Sequence, residues 1–187
     1  MICLDIIKRT EPILLQNMQN HYSNPRGFVG RNICYSISWN NVRYGSIVGG
    51  SATLHLPGRN EFFNITKAQL NSVVNNIFYH VEKVNGEYPC REFTVKVLKL
   101  FRSRVEVDWK NKYGDDVLGF ESLVELPRTG ECYKRDGWTL IGQTKGYTCK
   151  RTAGIGTDDW TGKRVWDTKN LRPKLVFVKL TNQSNMV

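Results

Sequence analysis

Apolar and polar positions follow two periods along this chain, and together they predict a mixed α/β fold. Ile13, Leu14 and Met18 give one side to a short helix over 11–20, with Thr10 as its cap and Pro12 in its first turn. A loop with Pro25, Gly27 and Gly30 follows. Ile33, Tyr35, Ile37 and Trp39 then alternate with Cys34, Ser36 and Ser38, the period of a strand. Asn40-Asn41 makes a hairpin turn, and 42–54 returns as the partner strand. Gly45, Gly49 and Gly50 lie inside that return. Glycine weakens a strand, so they predict a bulge or a close approach by another backbone.

Further on, 70–81 is rich in β-branched and aromatic residues and predicts a third strand. The dominant helix comes next, where Val97, Phe101, Val105 and Trp109 recur four apart and Leu98 and Leu100 widen the stripe. Thr94 is its expected cap and Gly114 its stop. Strands at 117–125, 138–142 and 175–180 and a helical turn at 129–136 complete the order. A polar insertion over 143–174 precedes the last strand. No repeat of roughly 20 to 50 residues is present. The 187 residues suit one domain spanning 1–187.

Charge changes the picture more than size does. Lys+Arg 27 against Asp+Glu 17 gives a net charge of +10, and a basic domain of this kind points to a polyanionic partner. From 143 to 179 there are nine basic residues against three acidic ones, with Tyr147, Trp160 and Trp166 among them. Cations track phosphates and flat rings stack on unpaired bases. Lys145, Lys150, Arg151, Trp160, Lys163, Arg164 and Trp166, with Arg59 in the loop after the hairpin, are therefore the candidate nucleic-acid contacts. Five cysteines with no C-x-x-C pair and three scattered histidines argue against a zinc finger or a disulfide scaffold. No apolar run approaches the ~18 residues of a membrane span, and charges interrupt the first fifteen residues. The expected compartment is the cytoplasm, with no membrane partner.

Candidate chemistry falls in four places. The loop 83–91, with Gly86 and Arg91, precedes the long helix, whose first N–H groups and dipole favour a phosphate-bearing cofactor. His21-Tyr22 sits between a helix and a glycine-containing loop, at the expected edge of a cleft. Glu121 and Glu125 are four apart on a strand and share a face. Tyr133 lies just beyond, in Gly130-Glu131-Cys132-Tyr133. No lysine follows the acids at nuclease spacing, and the sequence leaves the metal question open.

The segment GFESLVELPRTGECYKRDGWTLIGQTKG (119–146) resembles the core shared by the Mom DNA-modification proteins and the DruA family of anti-phage proteins. HYSNPRGFVGR (21–31), YGSIVGGSA (44–52), VVNNIFY (73–79) and RPKLVFVKL (172–180) resemble further segments in the same order. The resemblance implies a GNAT-like mixed β-sheet with flanking helices and a long basic insertion before the last strand, GNAT denoting the GCN5-related N-acetyltransferases. It also implies acetyl-CoA as cofactor, gripped by the 83–91 loop and the start of the next helix: Gly86, Arg91, Phe93 and Thr94. The usual R-x-x-G-x-G/A pattern is not present there. The implied activity is modification of adenine N6 by a carbamoylmethyl or acyl-derived group, in double-stranded DNA with the base flipped out. In a bacterial cell this would shield phage DNA from restriction. Glu121 or Glu125 would orient the amine or take its proton, with His21 as the alternative base. Tyr133 would donate to the leaving group, and Tyr22, Trp138 and Trp160 would stack the base. The alternative implication is a non-enzymatic DNA-binding module of a DruA-like defence system.

Overall fold

The computed structural model describes residues 1–25, 27–151 and 164–181. The elements, in chain order, are β1 (Ile2–Ile7), α1 (Pro12–Asn20), β2 (Asn32–Trp39), β3 (Val42–Ser51), α2 (Arg59–Phe63) and β4 (Val73–Val81). They continue as α3 (Phe93–Tyr113), β5 (Gly119–Glu125), α4 (Glu131–Arg135), β6 (Thr139–Gln143), β7 (Thr148–Arg151), β8 (Arg164–Asp167) and β9 (Lys174–Leu180). Seven strands form one sheet in the order β1-β2-β3-β4-β5-β9-β6. Every neighbouring pair is antiparallel except β4 and β5, which run parallel. Two chain segments of the same direction need a crossover, and α3 supplies it.

The two faces of the sheet are covered for different reasons. On one face α3 buries Val97, Leu98, Phe101, Val105 and Trp109 completely, against Tyr35, Ile37, Ile47, Val74 and Phe120. Each such side chain contributes roughly 1.5–3 kcal/mol of burial. On the other face α1 sets Leu14 and Met18 on Cys34, Val48 and Phe78. Further along, Phe63 of α2 and Ile65 pack with Val73, Val176 and Val178.

Several sequence expectations change in detail. β1 was not anticipated; its Ile2 and Leu4 reach the α3-side core while Asp5 is exposed, as an edge strand allows. The expected strand over 70–81 begins instead with a 3-10 turn at Lys67–Ser72, because Gln69 returns its side chain to the Thr66 N–H at 3.0 Å. Neither Thr10 nor Thr94 caps a helix. α1 starts after Glu11 without a side-chain cap, and Thr94 lies within the first turn of α3, behind Glu92 in the left-handed region. The insertion carries an antiparallel ribbon, β7 with β8, separate from the main sheet.

The largest correction concerns Arg59 and Glu121. Arg59 was expected at a nucleic-acid surface and Glu121 in a reactive site, but both are buried and bonded to each other. Arg59 also donates to the Thr53 carbonyl at 2.9 Å and to Asn60 Oδ1 at 2.7 Å, and the Thr53 N–H donates to Glu121 Oε1 at 2.6 Å. Burial pushes the Glu121 carboxyl upward while the Thr53 N–H and Arg59 hold it down. The pair ties α2 and the segment after β3 to the middle of β5. Removing one partner of a buried pair leaves the other uncompensated, so Arg59→Ala is expected to cost about 3–5 kcal/mol in urea unfolding. The double replacement Arg59→Met/Glu121→Leu should recover most of that loss.

Candidate active site

The parallel pairing of β4 and β5 lasts for three residues on each strand, Val73–Asn75 against Gly119–Glu121. Beyond it the strands splay, and a cleft of about 630 Å³ opens between them. Asn76 sits at the fork. Its Nδ2 donates to the carbonyls of Val48 and Phe78, both at 3.3 Å, where the β3–β4 register slips at Val48/Gly49. That slip leaves Ile77 as an extra residue, so Ile77 and Phe78 both pack on the α1 side. Gly50 makes room for it: a Cβ there would meet the Ile77 side chain at 2.5 Å. On its other side Asn76 Oδ1 accepts the Tyr133 hydroxyl at 2.6 Å, and its carbonyl accepts Ser122 Oγ at 3.2 Å.

Strand alternation then divides the cleft. Tyr79, Thr94, Cys132 and Tyr133 line it on the α3 side, and His21, His80 and Glu125 line it on the α1 side. Tyr133 is buried, stacks on Phe177 and is pushed well above its ordinary pKa by that burial, so it remains a hydroxyl donor. The start of α3 carries no side-chain cap. Its first internal bond runs from the Lys96 N–H to the Glu92 carbonyl at 2.9 Å, so the N–H groups of Phe93, Thr94 and Val95 have no partner within the helix.

The predicted residues distribute unequally over this geometry. His21, Tyr22, Glu125, Thr94 and Tyr133 line the cleft together; Glu121 does not. Glu125 is held by Arg172 at 2.6 Å. His21 accepts the Ser23 N–H at Nδ1, 3.2 Å away, and Ser23 Oγ lies 2.8 Å from the same atom. Its neutral ring therefore carries the proton on Nε2 and has its lone pair already engaged, which makes it a poor base. Burial, with His80 and Arg128 nearby, lowers its pKa to about 4. Gly86 serves a two-residue turn with Asn85, both at positive φ, joining Val84 to Glu87. Arg91 is exposed beside the α3 start, while the Phe93 ring is buried and only its backbone is available to a ligand.

Of the nucleic-acid set, Arg59 is buried away from the others, while the other described members fall on or beside the β7–β8 ribbon. Lys145 is exposed between β6 and β7. Lys150, Arg151, Arg164 and Trp166 lie on the β7–β8 ribbon, and Trp160 and Lys163 lie outside the described residues. Trp138, expected to stack a base, is instead buried with its Nε1 on Asp136 Oδ2 at 2.8 Å, beside the Arg102–Asp136 ion pair. Among the described residues no His, Cys, Asp and Glu cluster could hold a metal ion, and no helix is long and apolar enough to cross a membrane.

Two functional candidates escaped sequence reading. His80 lines the cleft, and its Nε2 lies 2.7 Å from Glu82 Oε1, which also accepts Asn20 Nδ2 at 3.1 Å. In the neutral ring that donates to Glu82 from Nε2, Nδ1 of His80 keeps a lone pair. Arg128 lies flat over the Tyr22 ring, its guanidinium carbon 3.5 Å from the centroid. The only signal for either was position, two residues apart for His80 and Glu82, and that carries no weight without the cleft.

Solved structures share this architecture. A GNAT family acetyltransferase from Elizabethkingia anophelis with acetyl-CoA bound superposes with a TM-score of 0.57 at 11% identity, over 96% of this chain and 98% of that one. An aminoglycoside acetyltransferase in complex with coenzyme A and kanamycin gives 0.58 at 12% identity, over 98% and 96%. A Bacillus subtilis acetyltransferase in complex with CoA gives 0.57 at 8%, over 97% and 99%. No protein-family model and no curated protein matches the chain. The fold is that of the GCN5-related N-acetyltransferases, and at these identities the likeness establishes the fold.

The depressed His21 pKa fixes a pH dependence. A group that binds its proton more weakly when folded contributes stability above about pH 6.5, and that contribution is lost as pH falls through about 4. Urea titrations of wild type should therefore lose more stability between those pH values than titrations of His21→Gln. The His21 ring proton should titrate by NMR near pH 4.

Proposed function

We propose that this chain is an acyltransferase that takes an acyl group from acetyl-CoA, and that its acceptor is the N6 amine of adenine in DNA. One observation carries the first half: the strands part at Asn76 beside an uncapped helix start, with a buried, protonated tyrosine in the fork. Those features fit a CoA thioester. The Phe93, Thr94 and Val95 N–H groups and Arg91 would hold its pyrophosphate, since a bare helix start favours anions. Glu92, at the same start, is neutralised by Arg135.

When bound, acetyl-CoA supplies a carbonyl activated as a thioester. The chain's own groups do the rest. Tyr133, kept as a hydroxyl by burial, donates to Asn76 Oδ1; turned from that acceptor into the cleft, the same O–H would give a hydrogen bond to charge developing there, as a donor rather than a proton source because its pKa is raised. His80, oriented by Glu82, accepts the proton that the attacking amine must lose. His21 and Tyr22, whose rings lie 4.1 Å apart, form the wall on the acceptor side.

The adenine half rests on the net charge of +10 and on the resemblance of 119–146 to the Mom and DruA proteins. An amine conjugated to a purine is a poor nucleophile and is paired in a duplex, so it must be extruded and deprotonated. A second reading, a DNA-binding module without catalysis, is favoured by the tight Asn85-Gly86 turn where acetyltransferases usually carry a run of glycines.

Nucleoside mass spectrometry on DNA from cells expressing the chain should reveal a new adenine-derived mass. Tyr133→Phe and His80→Gln should each reduce it by about a hundredfold or more. Unmodified DNA, together with no thermal shift by acetyl-CoA, would support the binding module; a ligand at 100 times its Kd adds roughly 2.7 kcal/mol.

A further inference from the structure

The acceptor end of the cleft has an excess of positive charge with a built position. Glu125 is answered by Arg172, through Nη2 at 2.6 Å and Nε at 2.9 Å. Glu131 is answered by Lys134 at 2.8 Å. That leaves Arg128 and Lys174, both lining the cleft, with no carboxylate within ion-pair distance among the described residues. Lys174 stands directly across the β5–β9 ladder from Glu125, so its side chain leaves the sheet on the acceptor side.

Arg128 is not a loose surface cation. Its guanidinium rests on the Tyr22 ring at 3.5 Å, Tyr22 packs against His21 at 4.1 Å, and His21 packs against Phe78 at 4.8 Å and is pinned by Ser23. A chain of rings thus fixes the plane of the guanidinium from the core outward. With one face covered, Arg128 offers its outer face and its fork of N–H groups, the geometry that grips an oxyanion in two places.

We infer that Arg128, backed by Tyr22 and assisted by Lys174, forms a subsite for an oxyanion carried by the acceptor molecule next to its reacting amine. The inference rests on the acyl-transfer reading for what the amine does, but the subsite is defined by its own residues. Its occupant is a phosphate group, and two sources share that chemistry: the phosphodiester of a DNA strand and the monoester of a free nucleotide. The same subsite explains why Tyr22 is not itself free to stack a base, since both of its faces are taken, whereas the outer face of Arg128 is open.

Calorimetry with 2′-deoxyadenosine, its 5′-monophosphate and a short single-stranded oligonucleotide containing adenine tests it. The monophosphate should bind wild type at least about tenfold more tightly than the nucleoside, and Arg128→Gln should erase that margin. Arg128→Lys, which keeps the charge but not the flat fork, should restore only part of it. The oligonucleotide should exceed the monophosphate if a strand is the source, and equal it if a free nucleotide is. On phosphate binding, the NMR titration of His21 should move upward, because the anion screens the Arg128 charge that depresses it. CoA titrated into the same variants should bind as it does to wild type, which separates this subsite from the acyl-transfer reading. Equal binding of nucleoside and monophosphate, or an unchanged margin in Arg128→Gln, would overturn the inference.

Discussion

Everything the cleft can do depends on where two parallel strands stop bonding to each other, and the Asn76 amide decides that. A side-chain amide can stand in for backbone groups, and here it satisfies two carbonyls at the slip in register while holding the Tyr133 hydroxyl. Buried polar groups that are fully partnered fix one geometry and tolerate few alternatives. The slip turns β4 away from β5, Gly50 leaves room for the displaced Ile77, and the parting of the strands follows.

The rest of the molecule braces that fork. On one side α3 is welded to the sheet by fully buried apolar residues and tied to the end of α4 by the Arg102–Asp136 ion pair, whose carboxylate is buried. On the other, the buried Arg59–Glu121 pair anchors β5 just where the parallel pairing ends. Burying an ion pair contributes little net stability, but its many directional bonds exclude alternative placements of the strand. Rigid walls with a gap between them suit a site in which geometry matters more than adaptability.

Much of this was legible along the chain. The β2–β3 hairpin, α3, and the run from β5 through α4 to β6 depend on local period and turn chemistry, so their residues announced them. The glycines of β3 correctly signalled a close approach. Tyr133 and Tyr22 were singled out and do line the cleft. Glu121 was misjudged because period two assigns a face without saying whether that face is wet. Its partner, Arg59, lies 62 residues away. Trp138 was misjudged for the same reason: an aromatic residue beside a turn looks available until the Asp136 carboxylate is found against its ring nitrogen.

The sequence by itself determined the order of the elements, the apolar stripe that makes α3 the crossover, and the excess of positive charge, because these are properties of neighbouring residues or of the whole composition. Only the tertiary structure decided which polar groups meet. It joined Arg59 to Glu121 in the interior, set the Tyr133 hydroxyl on Asn76 at the fork, and laid Arg128 on Tyr22. Reactivity depends on burial, on the third dimension and on what already occupies a lone pair, and none of these is a function of spacing along a chain.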